Sequence, residues 1–158
     1  MWNRSKLNAE FHYAVSKYKS ARMHAVLTGP DRNLIEPDVV FYGYTPLLKL
    51  ASSTSHQDRA TPMATELLEI FAVNVNFQEP YTLYTPLHMA ASRNNAILCR
   101  LLLLHGADPD LKEAKHGMTP LELAKHDECE DAIVAIREHQ DMHDNAAVPA
   151  LPQDKLGE

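Results

Sequence analysis

Nine histidines, two cysteines and one close carboxylate pair are the residues of this chain best suited to chemistry. His139 and His143 stand four positions apart, so on a helix they would share a face and could hold a metal ion between them. The pair supports one reading of function, a metal- or small-molecule-binding sensor at the C-terminal end. The sequence places no third ligand beside it, so no metal site is expected. His12 and His88 apart, the remaining histidines, at positions 24, 56, 105, 116 and 126, form no constellation. Asp108 and Asp110 flank Pro109 in a pattern that belongs to turns rather than to acid–base work. Cys99 and Cys129 lack metal-type spacing, and Cys99 falls among apolar helix positions. The pair therefore reads as reduced thiols in a reducing, cytoplasmic setting. A phosphate-cradling Gly-rich loop, a Gly-x-Ser-x-Gly elbow and a His-Glu-x-x-His helix are all missing. An enzyme is not expected, and neither is a cofactor.

The aromatic residues are placed more tellingly. Of six Tyr and four Phe, Phe41, Tyr42 and Tyr44 immediately precede one Thr-Pro pair, and Tyr81 and Tyr84 precede the next. Tyrosine joins a large contact area to a hydroxyl at low entropic cost, and aromatic side chains dominate interface hot spots.

The elements that would position these side chains are clearest at residues 84–117. Thr85 can cap a helix with its hydroxyl, and Pro86 suits the first helical position. Leu87 and the small pair Ala90 and Ala91 give that helix an apolar, closely approachable face. Asn94 and Asn95 interrupt it. A second helix is predicted from Ala96 to Leu104, with Ile97, Leu98, Leu101, Leu102 and Leu104 as its apolar set. Gly106 then supplies a left-handed stop, and Asp108-Pro109-Asp110 turns the chain away. The Thr-Pro-Leu-His run, the leucine block and Gly106-Ala107-Asp108 in this register resemble an ankyrin repeat.

The register recurs. Thr45 lies 40 residues before Thr85, and Thr119 lies 34 residues after it. The longer spacing places a six-residue insertion in the polar stretch 52–60. That stretch reads either as a tolerated loop or as a second contact element. Thr61-Pro62 is predicted to restart the helix, with Leu67, Leu68, Ile70 and Phe71 apolar, and no glycine marks its end. In the first unit Phe11-His12-Tyr13-Ala14-Val15 matches Leu87 to Ala91, but Ala9-Glu10 replaces Thr-Pro. The fourth unit opens at Thr119-Pro120 and continues in a helix from about Glu130 to His139, with Ala132, Ile133, Ala135 and Ile136 on one side. Repeats are therefore expected over approximately 5–40, 41–80, 81–114 and 115–140, within a domain spanning 5–140. Residues 141–158, with Pro149 and Pro152, read as a disordered tail.

The resemblance implies an all-α solenoid of stacked helix-turn-helix units with hairpin-like loops between repeats. About three repeats are the practical minimum for a continuous core. It also implies that His88, and in the same way His12, is a structural imidazole bonding loop backbone. The inter-repeat segments would project toward a concave binding face, where Tyr44, Tyr84 and Met118 should align as a stripe. Phe41 is the ring expected to be buried. Tyr42, Tyr81 and His116 would stand beside the stripe. Ser52 and Ser53, Ser92 and Arg93, and His126 and Asp127 would form its polar side, with Arg93 central. Some of these rings would alternatively pack on neighbouring hairpins.

At 158 residues and 45% hydrophobic content the chain is in the range of one domain. No stretch approaches the roughly 18 apolar residues of a membrane span, and the N-terminus lacks a signal-peptide core. A net charge of −6 without a basic cluster argues against nucleic acid as a partner. The expectation is a monomeric, non-enzymatic adaptor, scaffold or regulator that binds another protein. A microbial effector engaging a host protein by the same face is an alternative.

Overall fold

The computed structural model describes residues 3–146. Eight α-helices follow one another: α1 Arg4–Ser16, α2 Ser20–Thr28, α3 Pro46–Ala51, α4 Gln57–Ile70, α5 Pro86–Ser92, α6 Ala96–Leu104, α7 Pro120–His126 and α8 Glu130–Ala146. A short 3-10 turn at Arg32–Leu34 stands between the first two pairs. Helices pair within each repeat, α1 with α2, α3 with α4, α5 with α6, and α7 with α8. First helices then stack on first helices and second on second, which produces two rows. The only β-type pairing among the described residues is an isolated antiparallel bridge between Phe41 and Tyr44. The architecture is the all-α solenoid anticipated.

The first-row helices α3, α5 and α7 have only six or seven residues. An isolated helix of fewer than about 12–15 residues is marginal in water, so caps and packing must hold them. Thr45, Thr85 and Thr119 each accept a hydrogen bond from the N–H three residues on, with proline next in line. In α7 Glu122 completes a capping box; in α5 an imidazole, His88, takes the carboxylate's place. The core runs unbroken from Leu7 to Ile136. The tight turn inside three of the repeats places Tyr18, Asn94 and Glu128 at φ of 50°, 51° and 57°. Among these, asparagine is the residue that tolerates left-handed backbone most readily.

Several expectations are corrected. Helix α4 begins at Gln57, not Thr61, so the polar stretch contributes an extra helical turn and Pro62 lies inside the helix. The first turn's bonds, from Arg59 and Ala60 N–H to the His56 carbonyl, are complete before the proline is reached. His56 stacks on Tyr18 at 4.8 Å, and the Gln57 amide donates to the Arg93 carbonyl at 2.8 Å. The insertion thus braces the repeats on either side. Helix α8 continues to Ala146, which corrects the tail over residues 141–146; the remainder of that segment lies outside the described residues. Ile97 and Leu104 are exposed, because the buried stripe of α6 is Leu98, Cys99, Leu102 and Leu103. Ile70 is likewise exposed, and Phe71 caps α4 rather than joining it. The four apolar residues expected in α8 are all buried.

Leu102 is 0% exposed and Leu104 77%. Leu102→Ala should therefore cost about 2–5 kcal/mol in urea denaturation, and Leu104→Ala should stay within about 0.5 kcal/mol of the parent.

Candidate functional site

The hairpins between repeats are built from the backbone outward. In the second, Glu79 N–H donates to the Tyr84 carbonyl at 3.0 Å; in the third, Glu113 N–H donates to Met118 at 3.0 Å. Both glutamates are buried. Glu79 accepts from the N–H groups of Tyr81 and Thr82 and from the Thr82 hydroxyl. Glu113 accepts from the N–H groups of Lys115, His116 and Met118. Burial alone would push these carboxyls up, but the converging donors outweigh it and hold both below the usual carboxylate value. Each glutamate thus supplies acceptors for donors that would otherwise be stranded in a tight loop. Sequence reasoning missed them, although a signal existed: each stands six residues before its Thr-Pro threonine.

Neighbouring hairpins are tied side to side. Ala114 N–H donates to Thr82 O at 2.8 Å, and the Gln78 amide reaches Lys112 O. Asp38 accepts from Asn74 N–H, and one repeat later Asn76 accepts from Asp108 N–H at 2.8 Å. His88 supplies the vertical tie. Its Nδ1 faces the Thr85 N–H and hydroxyl, and Nε2–H donates to the Met118 carbonyl at 3.1 Å. Burial lowers its pKa, only partly offset by the Met118 carbonyl and the Glu113 charge. A buried neutral imidazole bonded on both nitrogens is a structural group, as anticipated.

Against this frame Tyr44, Tyr84 and Met118 occupy equivalent places, each immediately before its capping threonine and each half-buried. Tyr84 stacks on His88 at 5.5 Å, and the Lys49 ammonium lies 5.9 Å over the Tyr44 ring. Tyr42 and Tyr81 stand at hairpin tips, 98% and 86% exposed. Arg93 is exposed in the turn after α5, and its charge, with those of Glu113 and Asp127, reaches the Tyr84 hydroxyl. His116 and His126 come together as stacked rings at 6.4 Å, with His126 Nδ1 at 2.8 Å from Asp127. Ser53 does not join this face: it is buried and accepts from His56 N–H. Tyr13 and Lys49, which sequence reasoning did not single out for this face, help to line its N-terminal end.

The first hairpin departs from the other two. Only Tyr42 and Gly43 separate Phe41 from Tyr44, at φ of 51° and 83°. Two consecutive left-handed residues are what a primed two-residue turn requires. Phe41 thereby takes the place held by the buried glutamates. It is 40% exposed, not buried, because its ring lies across the His12 imidazole at 4.0 Å near the surface of this shorter loop. His12 shares the register of His88 but not its bonding: its Nε2 is buried without a hydrogen-bond partner. Burial lowers the His12 pKa to about 4, with the Val39 carbonyl acting in the opposite sense.

Elsewhere, His139 and His143 do share a helix face, with ring centroids 4.4 Å apart. Burial first, and then the neighbouring His143, lowers the pKa of His139. Among the described residues no group of three or more His, Cys, Asp or Glu is arranged to hold a metal ion. Cys99 and Cys129 are free thiols, and burial pushes Cys99 up to about 12.

Four helix pairs stacked in two rows, with hairpin loops between successive pairs, define a helical-repeat protein. A family model of ankyrin repeats in three copies matches residues 11–113 and again 59–146. The chain belongs to the ankyrin-repeat family. It is similar to Ankyrin repeat and SOCS box protein 6 of Homo sapiens, with 39% identity over 64 residues, 40% of this chain and 15% of that protein. It is 32% identical over 107 residues to the BTB/POZ domain and ankyrin repeat-containing protein NOOT1 of Medicago truncatula, 68% of this chain and 22% of that protein. The 2-5A-dependent ribonuclease of Homo sapiens matches at 46% over 68 residues, 43% of this chain but only 9% of the enzyme. The chain thus spans a small part of each of these relatives.

Two predictions follow from the polar frame. Glu113→Ala removes the buried acceptor of three loop N–H donors and should destabilise the fold by about 1–3 kcal/mol in urea denaturation at neutral pH. His12 and His88 both titrate below their ordinary 6.5 in the folded chain, so the unfolded chain binds more protons just below that value. Stability should therefore fall as pH drops from 6.5 toward 4, and a His12→Asn variant should fall less steeply in the part of that window above 4.5, the ordinary carboxylate value.

Proposed function

We propose that this chain is a non-enzymatic protein-binding module whose recognition surface is the concave, hairpin-lined face. The observation that carries this reading is the equivalence of Tyr44, Tyr84 and Met118, beside tips bearing Tyr42 and Tyr81. A preformed frame holds these side chains, so a partner is met with little ordering entropy to lose. Arg93, His116 and His126 supply polar contacts along the same face. The relatives named above couple ankyrin repeats to a SOCS box or a BTB/POZ domain, which supports an adaptor or regulatory role. Two buried free thiols are compatible with a cytoplasmic setting.

A triple variant, Tyr44→Ala, Tyr84→Ala and Met118→Ala, tests the reading in pull-downs compared with the parent chain and with Ile97→Asp on α6, in the row of second helices. Partners captured by the parent should be lost with the triple variant and kept with Ile97→Asp, while circular dichroism shows unchanged helicity. Retention of the same partners by a folded triple variant would place recognition elsewhere.

A further inference from the structure

The first hairpin's departure from its neighbours opens a cleft. It has a volume of about 470 Å³ and is lined chiefly by His12, Tyr13, Phe41, Tyr42, Tyr44 and Lys49. That size lies within the roughly 300–1,000 Å³ typical of ligand sites and would admit more than one side chain. Tyr13 and Phe41 are 45% and 40% exposed, so large apolar surface faces the opening rather than the core. A broader depression of about 620 Å³ between α4 and α6 is instead rimmed by Asp58, Glu66 and Glu69, with far less aromatic surface.

Charge selects the occupant. Lys49 lies over the Tyr44 ring and, among the described residues, has no carboxylate within ion-pair distance. The other cation resting on a tyrosine here, Arg22 over Tyr13, is already paired with Glu10. The corresponding hairpin position farther along carries a buried carboxylate, Glu79 or Glu113, and Asp127 lies beyond. In a chain of net charge −6, Lys49 is thus, among the described residues, a cation left unpaired at the aromatic end of the face.

We propose that this cleft is the anchor site of the protein-binding face, and that it takes an acidic segment of a partner protein carrying one large apolar side chain. The apolar side chain enters between Tyr13, Phe41 and Tyr42, and a flanking carboxylate meets the Lys49 ammonium. An ammonium on an aromatic face retains its attraction for an anion while its stem covers the ring. The inference rests on the hairpin face being the binding face.

The test is selection of random twelve-residue peptides displayed on phage against the full chain, followed by fluorescence anisotropy with the selected peptides. Enriched sequences should place Asp or Glu beside a Leu, Met, Phe or Trp, and affinity should fall as salt rises. Lys49→Glu should weaken binding about tenfold or more. Tyr42→Asn, a replacement that tolerates the left-handed backbone there, should weaken it several-fold with helicity unchanged. Ile97→Asp should have no effect. Enrichment of basic or charge-free peptides, or binding indifferent to Lys49→Glu, overturns the assignment. If such peptides instead respond to Tyr84→Ala and Arg93→Ala, the cleft fails while the hairpin face stands. If nothing is enriched, or only Ile97→Asp abolishes binding, both readings fail.

Discussion

No helix pair in this chain can hide its own apolar stripe, and that constraint shapes everything else. The first-row helices have as few as six residues, and α6 carries leucines at 98, 101, 102, 103 and 104. Such elements persist only where a neighbour above and below covers the stripe. Leu47, Leu87 and Leu102 are accordingly inaccessible, and the core is continuous along the stack.

Stacking in turn places loop backbone side by side, and its donors must be satisfied. The answer is a set of polar ties at repeat spacing. Glu79 and Glu113 gather N–H groups inside their own hairpins, Asp38 and Asn76 reach the next loop, and His88 links a helix start to the Met118 carbonyl. A rigid frame of this kind lets large side chains project without collapsing onto the body. Tyr42 and Tyr81 stand at the hairpin tips, 98% and 86% exposed.

Where the frame changes, so does the surface. Shortening the first hairpin brings Phe41 to the position of a buried glutamate, leaves His12 Nε2 without a partner and opens a cleft under Tyr42. The first repeat is therefore not simply a weaker copy of the third. It exchanges an internal carboxylate for aromatic surface, and this makes the face chemically uneven from end to end.

The repeat architecture was legible in the sequence because its signals are local: a threonine that caps, a proline at the first helical position, a glycine at φ 85° after α6. The alignment of Tyr44, Tyr84 and Met118 followed from their common place before those threonines. Other features depended on neighbours far along the chain. The leucine block does not say which of its members faces inward: α6 packs on α8 and buries Leu98, Cys99, Leu102 and Leu103, which leaves Leu104 exposed. The polar stretch at 52–60 does not announce that His56 will meet Tyr18 and Gln57 will meet the Arg93 carbonyl, and those contacts accompany the extra turn of α4. By itself the sequence determined the repeat and its period. Tertiary structure alone decided which apolar side chains are covered and where a cleft opens, because both depend on packing between residues that the sequence sets apart.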